Sequence, residues 1–487
     1  MTSTADKPPT PVSLDCLFNP PSREQWIEMA VAGLHSEHSP MDALQQLRRT
    51  TLEGIPLEVL YDSANVTVCP SYNERAAEGW DNRLCIKTRN PQQACREILR
   101  GLQGGISSIE LHMVAPADVT VALTGVQLDL ATVSLRSVNE YETCLGSLLT
   151  SVSDQGLDSA NWHCCVNADP IGNALASGSN AASLASELTR MAVFTKSTID
   201  ELPAVKCLLV DAALHHNAGA STVEELHAAL ATATLYLEVL LDKGIAPSDA
   251  CQQIVFQVAM DADVLLGVAK LRALRALWQH VVDQFDTSET APISTTIVAE
   301  TSHRFLSTQQ PWNNHLRNLC AATASMLGGA DTLMVHPHDS LHRADSTGDT
   351  TLGDRMARNM AIILERECGL GKVHDPMAGS YAIEALTQQL IQHTWQSLAS
   401  TDTREGWTDE LLSGRWQTRL TNTHHQRVTL MQKEQRIAVG VNRFVQADET
   451  VSIDIEQQNQ HQHTSLTLQA VRDAELFEQS ATTEVST

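Results

Sequence analysis

Between residues 80 and 385 the chain repeats one alternation eight times: a short apolar run and then, in most cases, an amphipathic stretch long enough to be a helix. The runs are LCIKTR (84–89), SSIELHMV (107–114), VQLDLATVSL (126–135), WHCCVNAD (162–169), VKCLLVDAAL (205–214), QQIVFQVAM (252–260), ISTTIVAET (293–301) and DTLMVHPH (331–338). Apolar strands separated by helices are the mark of a parallel sheet, and right-handed crossovers let eight such units close on themselves. The expected fold is α/β, a (β/α)8 TIM barrel.

The helices carry their own signals. Ser221 and Glu224 have capping-box spacing at the head of STVEELHAALATATLYLEVLLDKGI, and Lys243-Gly244 marks its end. Ser22 and Gln25 have the same spacing ahead of Trp26. Leu274, Leu277, Trp278, Val281 and Val282 form a stripe that packs on a sheet, which leaves Arg272, Arg275 and Gln279 facing outward. Three regions follow: an extended N-terminal arm that contacts another subunit (1–60), the barrel (61–390), and a helical C-terminal segment with a polar tail (391–487). The Gln/His-rich tract QQNQHQH (457–463) reads as a solvated loop rather than a metal site.

Charge and composition narrow the function. A net charge of −25, from 58 acidic and 33 basic residues, repels a phosphate backbone, so nucleic acid is not an expected partner. No run of 18 apolar residues marks a membrane span, and the N-terminus lacks the basic-then-apolar order of a secretory signal. A cytoplasmic protein is expected. Eleven cysteines without a C-x-x-C read as reduced core residues.

Several stretches hold residues able to do chemistry at predicted strand ends. LHHNAGA (214–220) places His215 and His216 side by side, either as a general acid or as polar residues at a barrel rim whose bonds the backbone satisfies. HPHDSLH (336–342) offers His336, His338, Asp339 and His342, a spacing that could ligate a metal ion in a barrel hydrolase. His303, Arg304, Arg355 and Arg358 could meet phosphates or form ion pairs, and DPMAGSY (375–381) has the proline and glycine of a tight turn. In each case the structural reading is preferred, and no metal is expected.

Four segments together resemble the methylmalonyl-CoA mutase family of coenzyme-B12-dependent isomerases: ETSHRFLSTQQPWNNHLRNLCAATASMLGGADTLMVHPHD (300–339), RMARNMAIILERECGLGKVHDPMAGSYAIEALT (355–387), AKLRALRALW (269–278) and IAVGVNRF (437–444). The likeness reaches back to PSREQWIEMA near the N-terminus. The resemblance implies a barrel whose strand ends face a cobalamin, with an acyl-CoA threaded down the axis. Homolysis of a cobalt–carbon bond makes radicals that react with solvent, so such chemistry needs a closed cavity and a cofactor that performs the hard step.

Carried over residue by residue, the resemblance implies that the catalytic groups are missing. The family's W-T-I-R-Q-Y stretch corresponds to WDNRLC (80–85), which puts Cys85 where a tyrosine stands. The segment before the family's alanine-glycine turn corresponds to DAALHHNAGA, which puts Leu214 where a histidine stands. The substrate-gripping arginine corresponds to Arg190 in SLASELTRM. A strand that carries small hydroxyl side chains toward the CoA tunnel reads Cys207, Leu209 and Asp211, larger groups that would fill the axis. The cobalamin-binding flavodoxin-like domain, with its D-x-H-x-x-G motif, has no counterpart, and only 43 residues follow IAVGVNRF.

The expectation is a small (beta), non-catalytic subunit type. It would pair with a catalytic large (alpha) subunit, and adenosylcobalamin would belong to the holoenzyme rather than to this chain alone. Two alternatives are a catalytic acyl-CoA mutase barrel served by a separate cobalamin-binding chain, and a metal-dependent hydrolase using His336, His338 and His342.

Overall fold

The computed structural model describes residues 21–32, 44, 47–63, 79–88, 90–112, 115–136, 140–159, 162–285, 294–342, 352–400, 404–446 and 466–478. The tract at 457–463 and the first twenty residues lie outside these ranges. Two compact units are present, Met1–Tyr61 and Asp62–Thr487. In the first, helix Arg23–Ala32 starts where expected: the Ser22 amide donates to Gln25 Oε1 and the Gln25 amide to Ser22 Oγ. The stretch read as an extended arm contains a small antiparallel pair, β1 (Arg49–Thr50) and β2 (Pro56–Leu57), with Arg48 and Glu58 bonded across it at 2.8 Å.

The second unit is built on a closed barrel of eight parallel strands. They are β3 (Asp81–Ile86), β4 (Ser108–Leu111), β5 (Thr132–Leu135), β6 (Cys164–Ala168), β7 (Val205–Asp211), β8 (Ile254–Met260), β9 (Thr296–Thr301) and β10 (Thr332–Met334). They neighbour one another in chain order, and β10 closes on β3 through Thr332 opposite Asp81 and Leu333 opposite Asn82. Each of the eight apolar runs supplies one strand, so the α/β TIM-barrel fold is present. Among the described residues, no helix is long and apolar enough to cross a membrane.

Helix Thr222–Asp242 has the expected capping box, with the Ser221 amide donating to Glu224 Oε2 (2.9 Å) and the Glu224 amide to Ser221 Oγ (3.3 Å). Glu224 does more than cap, because its other oxygen accepts from Arg419 Nε (2.9 Å) and Thr423 Oγ1 (3.0 Å) of helix Arg415–Gln432. Removing a Ser cap costs about 1 kcal/mol. Ser221→Ala is therefore expected to lower unfolding free energy by about that much in urea titrations, with the barrel intact by circular dichroism.

Helix Val264–Phe285 buries the predicted stripe, Leu274, Leu277, Trp278, Val281 and Val282. The expectation for its other face is corrected: Arg272 and Arg275 are buried, not outward. A second layer covers that face, because helix Tyr381–Ala399 packs along the same helix. Arg272 is bonded to Asp375 and, at 2.7 Å, to Glu384, which in turn accepts from the Gly379 amide. The DPMAGSY turn is thus pinned to the barrel's outer layer by a buried guanidinium. Arg275 bridges the carbonyls of Thr295 and Gly329 (2.6 Å) and the carboxylate of Asp331 (2.7 Å), tying the feet of β9 and β10 together.

Candidate functional site

The carboxyl ends of the strands converge on a layer of charged and polar side chains. In-register pairing sets Cys85 of β3 opposite Glu110 of β4, and the period of two puts His112 on the same face as Glu110. Glu110 Oε1 lies 2.7 Å from His112 Nε2, and the same nitrogen lies 3.3 Å from Cys85 Sγ. Across the axis Arg136, just past β5, bonds Asp211 at the end of β7 and comes within 3.9 Å of Glu110. Gln257 donates to Glu300 (3.0 Å), and Glu300 faces His336 at 3.6 Å. Burial works against the Glu110 carboxylate and against a charged His112, but each favours the other's charge. Glu110 is held down to about 2 by His112 and Arg136, and His112 is pushed up to about 9 by Cys85 first and Glu110 second.

Below this layer the axis is apolar. Leu209, Val255 and Val298 pack together with Cys165 against them. Each of the three is 1% exposed, so this level of the barrel is a filled core. Cys207 does not join them, contrary to the alternation read from the sequence. Its thiol faces Thr195 and Thr198 of helix Ala181–Glu201, while Lys206 reaches Thr296 Oγ1 (2.6 Å) across β8, so the period of two breaks between Lys206 and Leu209.

The paired histidines lie on a short helix, Ala213–Asn217, and not on a strand, so they turn to different surroundings. His215 Nδ1 accepts from Trp416 Nε1 (2.9 Å), and its ring packs near Trp407 and Trp416. His216 Nδ1 faces Glu225 Oε2 (3.1 Å) and its Nε2 faces Ser302 Oγ (2.9 Å); with Nδ1–H donating, the hydroxyl donates to Nε2. Both rings are 3% exposed, and burial lowers both to about 4, so they are neutral at pH 7. Side chains, rather than the backbone groups anticipated, satisfy them. Leu214 is half-buried, and a Cβ added at Gly172 would stand 3.1 Å from its Cδ1.

This stretch is where the C-terminal helices seat. Arg427 donates to the carbonyls of Gly219 and Ala220 (both 3.1 Å), and Arg304 donates to those of His216 (2.6 Å) and Ala220 (2.7 Å). Gly219 has φ +111°, and a Cβ there would stand 2.8 Å from His424 Cβ and 3.0 Å from the Leu420 carbonyl. Only glycine allows that approach.

The other sequence candidates are scattered. His336 lies tilted against His303 with ring centroids 3.9 Å apart, His338 lies over Trp312 at 4.8 Å, and His342 Nε2 donates to the Thr308 carbonyl at 2.9 Å. The fold does not bring these three together as a ligand set. Arg190 sits on an outer helix, bonded to Glu187 (2.6 Å) and Glu142 (2.9 Å) and stacked over Tyr141. Glu110 and His112 escaped the sequence reading. The signal available was E-x-H on one strand beside a cysteine on its neighbour, and it becomes visible only with the register.

A model of the family described as methylmalonyl-CoA mutase matches residues 103–484. This chain belongs to the methylmalonyl-CoA mutase family. The family match covers all the barrel strands except β3, together with the helices that seat on LHHNAGA. The chain is 30% identical over 455 residues to the methylmalonyl-CoA mutase small subunit of Streptomyces virginiae, covering 89% of this chain and 72% of that one. It is 26% identical to the small subunit of Propionibacterium freudenreichii subsp. shermanii, covering 84% and 66%. To the methylmalonyl-CoA mutase of Rhizobium meliloti it is 25% identical, covering 70% of this chain and 48% of the other, about half that protein's length.

Proposed function

We propose that this chain is the small (beta) subunit of an adenosylcobalamin-dependent methylmalonyl-CoA mutase and that it supports a catalytic large subunit rather than performing chemistry. The holoenzyme would interconvert methylmalonyl-CoA and succinyl-CoA by radical isomerisation. The carrying observation is the filled axis: Leu209, Val255 and Val298 close the level through which an acyl-CoA would pass. Cys85 and Leu214 add to it, standing where the resemblance calls for a tyrosine and a histidine. A corrin also fits poorly here, because His215 and His216 are buried and engaged on Trp416, Glu225 and Ser302. No reaction step is assigned to this chain. Adenosylcobalamin supplies the radical when bound, and the holoenzyme's other chain would hold it.

Support for a partner comes from an apolar face. Trp312 and Leu316 are each 61% exposed on helix Pro311–Leu327, and Leu319 continues the same stripe. Arg317 Nη2 donates to the Val439 carbonyl (2.7 Å), which sets Ile437, Val439, Phe444 and Val445, all exposed, beside that stripe. A large exposed apolar patch marks an interaction surface. The arm at 1–60 is a second proposed contact, with Val59 exposed and Trp26 half-buried.

The test is turnover by the isolated chain with adenosylcobalamin and (R)-methylmalonyl-CoA. No succinyl-CoA above the protein-free control is expected; turnover by this chain alone would contradict the proposal.

A further inference from the structure

We propose that Cys85, Glu110 and His112 bind one divalent cation of the zinc class at the carboxyl ends of β3 and β4. Their ligand atoms converge on one point. Cys85 Sγ, Glu110 Oε1 and His112 Nε2 lie 2.7, 3.3 and 4.0 Å from one another, and among the described residues they are the group of three such donors close enough to share an ion. A tetrahedral zinc with bonds of about 2.0–2.3 Å holds its donors about 3.3–3.7 Å apart, so shifts of well under 1 Å suffice.

The arrangement is not that of a cysteine–histidine–carboxylate triad. In a triad the two ring nitrogens face different partners, one toward the nucleophile and one toward the carboxylate. Here the thiol and the carboxylate both face Nε2, which carries at most one hydrogen. A cation at the centre satisfies all three at once, the thiol as thiolate and the imidazole through its Nε2 lone pair.

Charge and access agree. Thiolate and carboxylate supply the two negative charges that balance a divalent ion; of the neighbouring cations, Arg136 is 3.9 Å from Glu110 but bonded to Asp211, and Lys87, near Cys85, has Glu300 as a further anion. Glu110 is 1% exposed at its side chain, whereas His112 is 26% exposed, so the ion would be anchored from below and open above to a fourth ligand such as water. The mixed S, N, O set selects zinc, cobalt(II) or iron(II) over magnesium or calcium. The ion would staple β3 to β4 across their register.

The full-length chain, stripped with a chelator, is titrated with Co²⁺ and then Zn²⁺. One Co²⁺ is expected to produce a thiolate-to-cobalt charge-transfer absorption that Zn²⁺ abolishes, and C85S is expected to lack it while C320S and C368S keep it. Zn²⁺ affinity should fall at least tenfold in H112Q and in C85S, with circular dichroism unchanged; outer ligands with smaller roles already cost 10–100-fold. Histidines elsewhere can bind Co²⁺ but give no thiolate band. Absence of the band in the unsubstituted chain, or its survival in C85S, would overturn the proposal, as would equal Zn²⁺ affinity in all variants. None of these readouts depends on mutase activity or on a partner subunit.

Discussion

Glu225→Ala is expected to destabilise the barrel unit by about 3–5 kcal/mol, the usual cost of removing one member of a buried charged network. Glu225 is fully buried. Its Oε2 accepts from Lys270 Nζ (2.9 Å) and meets His216 Nδ1 (3.1 Å), and its Oε1 accepts the Ala259 amide (2.8 Å) at the end of β8. Alanine leaves an ammonium, an amide and an imidazole without their acceptor. Lys270 also donates to the Ala259 carbonyl, so the lost carboxylate loosens the junction of β8 with the helix that follows. Glu225→Gln keeps the shape but not the charge and is expected to fall between wild type and alanine. Urea unfolding at pH 7.5 measures both, and a loss under about 1 kcal/mol for alanine would show that the network is dispensable.

The second large effect is an acid sensitivity that sets in near neutrality. Burial lowers His215 and His216 to about 4 and His227 and His336 to about 3, and it holds His303 well below its ordinary value. Above the ordinary histidine value of about 6.5 these rings are neutral in folded and unfolded chains alike, so stability does not depend on them. As pH falls from there toward about 4 the unfolded chain takes up protons that the folded one refuses. Stability then drops by up to about 1.4 kcal/mol per pH unit for each ring.

Asp169 works in the opposite direction. Burial pushes it up to about 6, against the hydrogen bond from Tyr236, so the folded chain gains its proton first and is stabilised over part of the same range. Burial raises Asp81, Asp211 and Glu300 as well, so these four carboxylates together offset part of the loss from the histidines. The depressed Glu225 loses its contribution only at lower pH, below the ordinary carboxylate range. Burial lowers His315 and His424 too, so the depressed rings outnumber the raised carboxylates, and with domain stabilities of about 5–15 kcal/mol acid unfolding is expected with a midpoint above about pH 4. Circular dichroism against pH checks this. His227→Gln should lower the slope by about one ring's share, whereas a flat profile down to pH 4 would contradict it.

How far the sequence carried depends on whether a feature is local. The eight strands and the Ser221–Glu224 cap were legible because period and capping are written in neighbouring residues. The arginines were not. Arg272 lies opposite the apolar stripe on a helical wheel, yet a second helix contributed from about 110 residues later covers it and supplies Glu384, while Arg275, at the edge of the stripe, finds Asp331 at the foot of β10. His215 and His216 were legible as unusual but not as placed. Their partners Trp416 and Ser302 come from other parts of the chain, and the helical turn at 213–217 voids any argument from strand alternation. Cys207 likewise faces an outer helix because β7 does not keep its alternation. The Cys85–Glu110–His112 convergence depends on strand register, which no single strand specifies.

The role proposed for the chain turns on dependence between two polypeptides. The most direct measurement is copurification of this chain, tagged, with a catalytic large subunit of the family, beside the same chain carrying W312D and L316D, followed by a B12-dependent assay of each preparation. A stable 1:1 complex that turns over methylmalonyl-CoA is expected, lost with the doubly substituted but folded chain, with no turnover by this chain by itself. No complex with the large subunit, or turnover by this chain unaided, would contradict the proposed role.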